Sequence, residues 1–518
     1  MIKIHNSYNG LRSILVVLAV LLILFTFSCS ESTSPKTGSL SGRVVLVNDT
    51  DDPSLDPVDF SGVTIALYEL AVLDTTIVRI TQEYPNIGVQ ISQETEFDHR
   101  LQNPVAVVVS DADGNYEFTK IPYGDYNLSV MKQGWGFRYL YNIEVTDSRS
   151  DNTLRFISPQ GSTPQEQSSS NNHNNSRRQV TLYPETSLAQ TVASSIIFKQ
   201  DHVYLAPSDV TVLSDVVIEG GTVIALAEGT RIVFHGNVTY EGTGKFVRFT
   251  SHDSVDSLPS GHRVEPKLFD KAFFNGSYDY NLSNVIFEYS MNGFGVGGGS
   301  FSLSQSILRR NGAVALEASS VSGDLMNVLF VLNPHLAISS SSPIDVIKSI
   351  LCGSREAITI QMADSTIKNS YFCDNRIALR FLMGEHSITN NAFDRNTYAI
   401  SPCASDPYIA YNNFYNNVQD IETNRYWGGT HVFCNPTVSF NNFFSSRFYV
   451  NLFGRNSYYA GTSGSGVLQN QIYPNNYLMA TDIQNHVFDA NYPDSGIDYS
   501  VSFTPRFTSR VQSAGLTQ

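Results

Sequence analysis

The sequence predicts an all-β chain whose body is a parallel β-helix preceded by a small β-sandwich. Three observations carry this. From residue 282 onward, large apolar residues fall in one column: Phe287, Leu308, Phe330, Leu351, Phe372, Phe393, Phe414, Phe443 and Ile472. The spacing is 21 or 22 residues and lengthens to 29 at the last two steps. Five positions earlier runs an unbroken aliphatic column, Leu282, Leu303, Leu325, Val346, Ile367, Ile388, Ile409, Val438 and Val467. Polar residues keep the same register. Ser349, Ser370, Asn391, Asn412, Asn441 and Asn470 stand two positions before the aromatic column, and Asn311, Asn333, Ser354, Asn375, Asn396 and Asn417 stand three positions after it. Such a period suits a coil of three short strands and three turns. One coil cannot bury its apolar side alone, whereas stacking at ~4.8 Å sets like residues over like. The asparagines fit the turns because they tolerate left-handed backbone and can bond along the stack.

Ahead of both domains come Lys3 and Arg12, an apolar run from Ile14 to Phe27, and then Ser28 and Cys29. This is the layout of an export signal, read as residues 1–28. The run falls short of the ~20 apolar residues that a spanning helix needs, and a polar tract follows at once. The segment Phe25-Thr26-Phe27-Ser28-Cys29 resembles a lipobox, although Thr26 and Phe27 depart from its usual residues. The resemblance implies that Cys29 carries the lipid, that 29–37 is a tether, and that Ser30 directs an outer-membrane lipoprotein to the cell surface or the periplasmic face. The alternative is a plain secretory signal with an incidental cysteine.

The full chain is 42% hydrophobic and 16% charged, and its formal net charge is -15. Polyanions are met with a surplus of Lys and Arg, so nucleic acid is not expected as a partner. The expected partners are the membrane, through the lipid, and a polysaccharide or another cell-surface protein.

Residues 38–186 read as the sandwich. Short alternating strands are separated by turn residues: 40–47, 61–68, 106–118 and 121–130. Asp113-Gly114 supplies a tight hairpin, and Pro122 with Gly124 the next turn. Asp111, Asp113 and Asn115 have the look of a calcium loop but lack its bidentate glutamate, so the hairpin is the better reading. These strands resemble the carboxypeptidase regulatory-like, or transthyretin-like, domain, which implies a spacer or interaction module without catalysis. A Ser/Asn-rich tract over about 158–178 cannot bury a core and is expected to be disordered, and Gln179-Val-Thr-Leu182 then supplies a last strand.

The β-helix is expected over 195–505, with a tail at 506–518. Asp209-Val-Thr-Val-Leu213, the run from Gly221 to Phe234, and Phe246-Val-Arg-Phe-Thr-Ser251 resemble the first coils of right-handed parallel β-helix repeat proteins of the pectin-lyase-like superfamily. The segment from Asn476 to Asp482, with 489–499, is similar to the end of such envelope proteins. The resemblance implies a right-handed coil and says almost nothing about activity.

Chemistry on this frame is sparse. Arg355 and Arg376 share one column on adjacent coils, and Asp374 and Arg395 share the column two residues before it. Stacked arginines repel unless an anion such as a uronate lies between them; otherwise they fan into water or pair with Glu356, Asp374 and Asp394. Glu288 over Arg309 reads as an ion pair between coils. Tyr426 and Trp427, near His431, offer flat rings to a sugar, or tuck an inserted loop against the coils. Cys352 and Cys373 stack one coil apart within disulfide reach, and Cys403 with Cys434 is a second candidate pair; all four could also be unbonded thiols. No metal-ligand spacing and no cofactor motif stands out. The expectation is a non-catalytic lipid-anchored protein that presents its β-helix for adhesion or carbohydrate binding. The alternatives are a polysaccharide lyase or glycoside hydrolase on an acidic glycan, and a structural envelope scaffold.

Overall fold

Each coil contributes one strand to each of three parallel sheets, as the coil from Ile344 to Gln361 illustrates. Ile344–Ile347 lies in the first sheet, Ile350–Cys352 in the second and Glu356–Gln361 in the third. Among the described residues the sheets hold 11, 13 and 13 strands, which makes a parallel β-helix of about 11 turns. The first strand of the second sheet is already Thr186–Ser187. The computed structural model describes residues 36–146, 178–242, 244–252, 266–422, 426–427, 430–431, 436–444, 448–452, 477–478, 487–489 and 514–516. The export signal, Cys29, the Ser/Asn-rich tract up to 177, Cys434, most of both long insertions and most of the closing segment lie outside these residues.

The columns expected from the sequence face inward and stack in register. Phe372, Phe393, Phe414 and Phe443 are paired coil to coil, with ring centroids 5.0, 5.1 and 4.8 Å apart and planes within 12°. Offset aromatic stacking adds to the burial of each ring. The 29-residue step holds, because Ile409 pairs with Val438 and Phe414 with Phe443. The next rung does not follow the expectation. Phe443 pairs with Leu478 rather than Ile472, so the last coil is longer than the repeat implies.

The polar ladders form, and the two properties assigned to asparagine divide between neighbouring positions. The left-handed residue is the one before the ladder residue: Lys348, Asn369, Asn390, Tyr411 and Phe440 have φ between 51° and 58°. The ladder residue does the bonding. Asn391 accepts from the backbone N–H of Ser370 at 2.9 Å, and its own N–H and Nδ2 donate to Oδ1 of Asn412 at 2.9 and 3.0 Å. Asn375, Asn396 and Asn417 repeat this at the following turn. These amides are buried, where an unmet N–H would cost about 1–3 kcal/mol, so the ladder fixes the register from coil to coil.

The preceding domain is a pair of small sheets. One has the order Asn115–Pro122, Thr37–Leu46, Arg178–Leu182; the other runs Ala106–Val109, Thr64–Glu69, Gly124–Met131, Phe137–Val145. Val44, Ile65, Leu67, Phe118, Leu128 and Ile143 fill the space between them. At the Asp113-Gly114 hairpin, Gly114 has φ +82°, and a Cβ there would meet the Val44 carbonyl oxygen at 2.0 Å. Asp111 Oδ1 accepts from the Asn115 backbone N–H at 2.8 Å, which makes this carboxylate a turn-former.

Candidate functional site

The alternating pattern of the sandwich gives no sign of what lies between Thr64–Glu69 and Ala106–Val109. These two strands are sheet neighbours, yet 36 residues (70–105) separate them, and that segment leaves the sandwich to lie across the β-helix. It carries helix α1 (Thr75–Glu83), capped by Asp74 Oδ1 accepting from the Thr76 and Ile77 N–H groups, and the short helix α2 (Gln93–Glu96). The fold is therefore mostly β with a few short helices.

This strap covers the outer face of the second sheet. Ile77, Ile80, Ile87 and Val89 form one cluster with the outward residues Ile286, Ile307, Leu329 and Ile350. Burying such a side chain contributes roughly 1.5–3 kcal/mol relative to exposure. Gly88 marks the tightest approach. Its N–H donates to the Lys348 carbonyl at 2.7 Å, its φ is +68°, and a Cβ would meet Ile350 Cδ1 at 2.5 Å. Cys352 and Cys373 belong to the same outward cluster and are joined by a disulfide, with Cα atoms 4.6 Å apart. They lie beneath the strap and not in the β-helix core. Cys403 is buried on the third sheet.

Beyond the apolar patch, the strap brings charged groups onto the coils. Glu288 and Arg309 form the expected pair between coils at 2.9 Å, and Arg309 Nη1 also donates to Glu96 of the strap at 2.6 Å. Arg248 donates to the other Glu288 oxygen at 2.6 Å. Arg100 of the strap binds Asp98 through Nε at 2.9 Å and Nη2 at 2.8 Å, and reaches Ser251 and Thr250 on the coil at 2.6 and 3.1 Å. Tyr289 donates to Asp98 at 2.7 Å, and its ring stacks under the Arg100 guanidinium. Three carboxylates thus meet three guanidiniums in a dry interface. Burial pushes the Glu288 carboxyl up, but Arg248 and Arg309 outweigh it and hold it down to about 2. Asp98 is likewise pushed up by burial and held far below the ordinary range by Arg100. Buried charges matched in this way specify one docking geometry, because any shift strands a charge.

The three candidate arginines fall on the edge between the second and third sheets, whereas Tyr426 and Trp427 lie between a third-sheet and a first-sheet strand. Arg355 and Arg376 are exposed on adjacent coils, and neither makes an ion pair among the described residues. Arg395 is different. It grips Asp374 at 2.8 and 2.7 Å through two nitrogens and also binds Asp394. Glu356 pairs with Arg380 at 3.2 Å. The three arginines are therefore one occupied and two open. Tyr426–Trp427 and Thr430–His431 form a two-stranded antiparallel hairpin in the first long insertion, Tyr426 opposite His431 and Trp427 opposite Thr430. Among the described residues no group of three or more His, Cys, Asp or Glu is arranged to hold a metal.

The fold and its clamp define a two-part protein in which a small sandwich is fastened to a parallel β-helix by its own inserted strap. Comparison of the chain with known protein families and with curated proteins finds no match.

Proposed function

We propose that this chain is a lipid-anchored envelope protein that presents its β-helix for adhesion or carbohydrate binding, without catalysis. The observation that carries this is the contrast along one edge. Arg355 and Arg376 stand open to an anion, while the nearby carboxylates are committed, Asp374 and Asp394 to Arg395, and Glu356 to Arg380. Open guanidiniums bind carboxylates in a two-pronged fashion, which suits a uronate-bearing chain laid across the coils. A lyase or hydrolase acting through a carboxylate would need an uncommitted one beside that chain, and Glu356, Asp374 and Asp394 are engaged. The strap supports the same reading from the other side, because it makes the sandwich and β-helix one stiff body suited to display. The lipid is proposed at Cys29 and the outer membrane as its destination, on the strength of the apolar leader alone.

The test is a glycan array probed with the full chain purified in detergent, together with palmitate labelling of the wild type and of Cys29→Ala. Retention on uronate-bearing glycans, lost in the Arg355→Ala, Arg376→Ala double variant, supports the reading. Retention unchanged in that variant removes the arginine edge from the account, and unchanged label incorporation in Cys29→Ala removes the anchor.

A further inference from the structure

A cleft of about 480 Å³ opens where the Phe137–Val145 strand of the sandwich faces the first coils of the β-helix. Its size lies within the range of small-molecule sites, and junctions between domains are where such sites commonly form. The strap closes one side through Glu94, and the coils supply Asp201, Lys245 and Arg248.

Two polar groups in the wall are unused. Among the described residues neither the Glu94 carboxyl nor the Tyr141 hydroxyl makes a hydrogen bond or ion pair, although both line the cleft. The rest of the wall is engaged. Asp201 holds Arg138 at 3.3 Å and Lys245 at 3.3 Å, and Arg248 is bound to Glu288 at 2.6 Å. The Tyr139 hydroxyl shares a hydrogen bond with His99 Nδ1 at 2.7 Å, and its ring lies beside that of Tyr141, with centroids 6.3 Å apart.

Charge decides among ligand classes. Arg138, Lys245 and Arg248 are balanced by Asp201, Glu94 and Glu288, so neither a cation nor a polyanion meets a surplus of opposite charge. What remains is a polar, uncharged demand: an acid oxygen and a phenol seeking partners, next to aromatic faces. Burial pushes the Glu94 carboxyl up, against the pull of Arg248 and Lys245. A ring carrying several hydroxyls answers all of this, because it donates to Glu94 and Asp201, accepts from Lys245 and Tyr141, and lays its C–H face on the tyrosines.

We propose that this cleft binds a neutral sugar ring, held by the Glu94 carboxyl, the Tyr141 hydroxyl and the Asp201 and Lys245 pair. The site is separate from the arginine edge and does not rest on it. Its test is ligand-observed NMR on the full chain in detergent, with D-glucose, D-galactose, N-acetyl-D-glucosamine and L-rhamnose as probes and D-glucuronate and choline as charged controls. At least one neutral probe is expected to bind in the millimolar range or tighter. Tyr141→Phe and Glu94→Gln, which keep the shape of the wall, should each weaken it about 5- to 10-fold, one hydrogen bond's worth. Val223→Trp should fill the cleft and abolish binding, while the Arg355→Ala, Arg376→Ala double variant leaves it unchanged. The proposal is overturned if no neutral probe binds, if only a charged control does, or if Tyr141→Phe and Glu94→Gln leave the affinity where it was.

Discussion

Arg309 and Glu96 are 213 positions apart in the chain, and their side chains meet at 2.6 Å with Nη1 donating to Oε1. This contact ties strap to coil in an interface where Arg309 and Glu288 are fully buried. Arg309→Met should therefore lower stability by about 3–5 kcal/mol, because it strands Glu96 and leaves Glu288 to Arg248 in a dry place. Lys271→Met, which breaks an open pair with Glu317, should change it by less than about 1 kcal/mol. Urea denaturation of the two variants separates these outcomes; equal effects would mean that the clamp contributes nothing special.

The same interface sets an acid limit. The Glu288 carboxyl titrates at about 2 when folded against an ordinary 4.5, so the folded state binds its proton less readily than the unfolded one. The stability this provides is fully present above pH 4.5 and is lost as the pH falls toward 2. Asp98 acts in the same direction. Protease sensitivity of the strap, followed from pH 7 downward, should stay flat to about pH 5 and then rise. A rise between pH 7 and 6 would point to a different group.

Gly88→Val forces a side chain into Ile350 at a left-handed position. Overpacking of this kind costs about 1–3 kcal/mol, and here it should loosen the strap without disturbing the coils. Hydrogen exchange should quicken over 75–96 while the Ser370 and Asn391 amides stay protected. The Cys352–Cys373 disulfide, lying in the same cluster, should become easier to reduce with a soluble thiol.

Asn391→Ala removes the acceptor of the Ser370 N–H and both donors of one rung. The orphaned buried groups should cost on the order of 3 kcal/mol, measured as a shift of the denaturation midpoint. Asn390→Ala, one position earlier, loses tolerance of φ +58° and a long amide bond to the Gly515 carbonyl at 3.4 Å, and should cost about 1–2 kcal/mol. Equal losses at the two positions would contradict the division of labour between turn and ladder.

The β-helix was legible because its signal is periodic. Phe372, Phe393 and Phe414 repeat at a fixed step, and stacking in register is the arrangement that buries such a column. The strap was not legible because its apolar residues, Ile77, Ile80, Ile87 and Val89, have no repeat, and their partners lie far away in sequence. A local sign did exist. Leu329-Phe330-Val331 and Ile350-Leu351-Cys352 are apolar at three successive positions, although a strand with one face in water needs alternation. The outward residues of the second sheet thus carried the mark of a covered face. The arginine edge was half legible: column membership placed Arg355, Arg376 and Arg395, but only side-chain geometry shows that Asp374 and Asp394 take up the third.

Binding without cleavage at the arginine edge is tested most directly by incubating the full chain with polygalacturonate, following co-sedimentation and the appearance of reducing and unsaturated ends in the same samples. Retention of the polymer by the wild type is expected, with at least tenfold weaker retention by the Arg355→Ala, Arg376→Ala variant, on the order of two lost charged contacts, and no new ends in either. New ends produced by the wild type and abolished in the variant would contradict it and make this chain an enzyme.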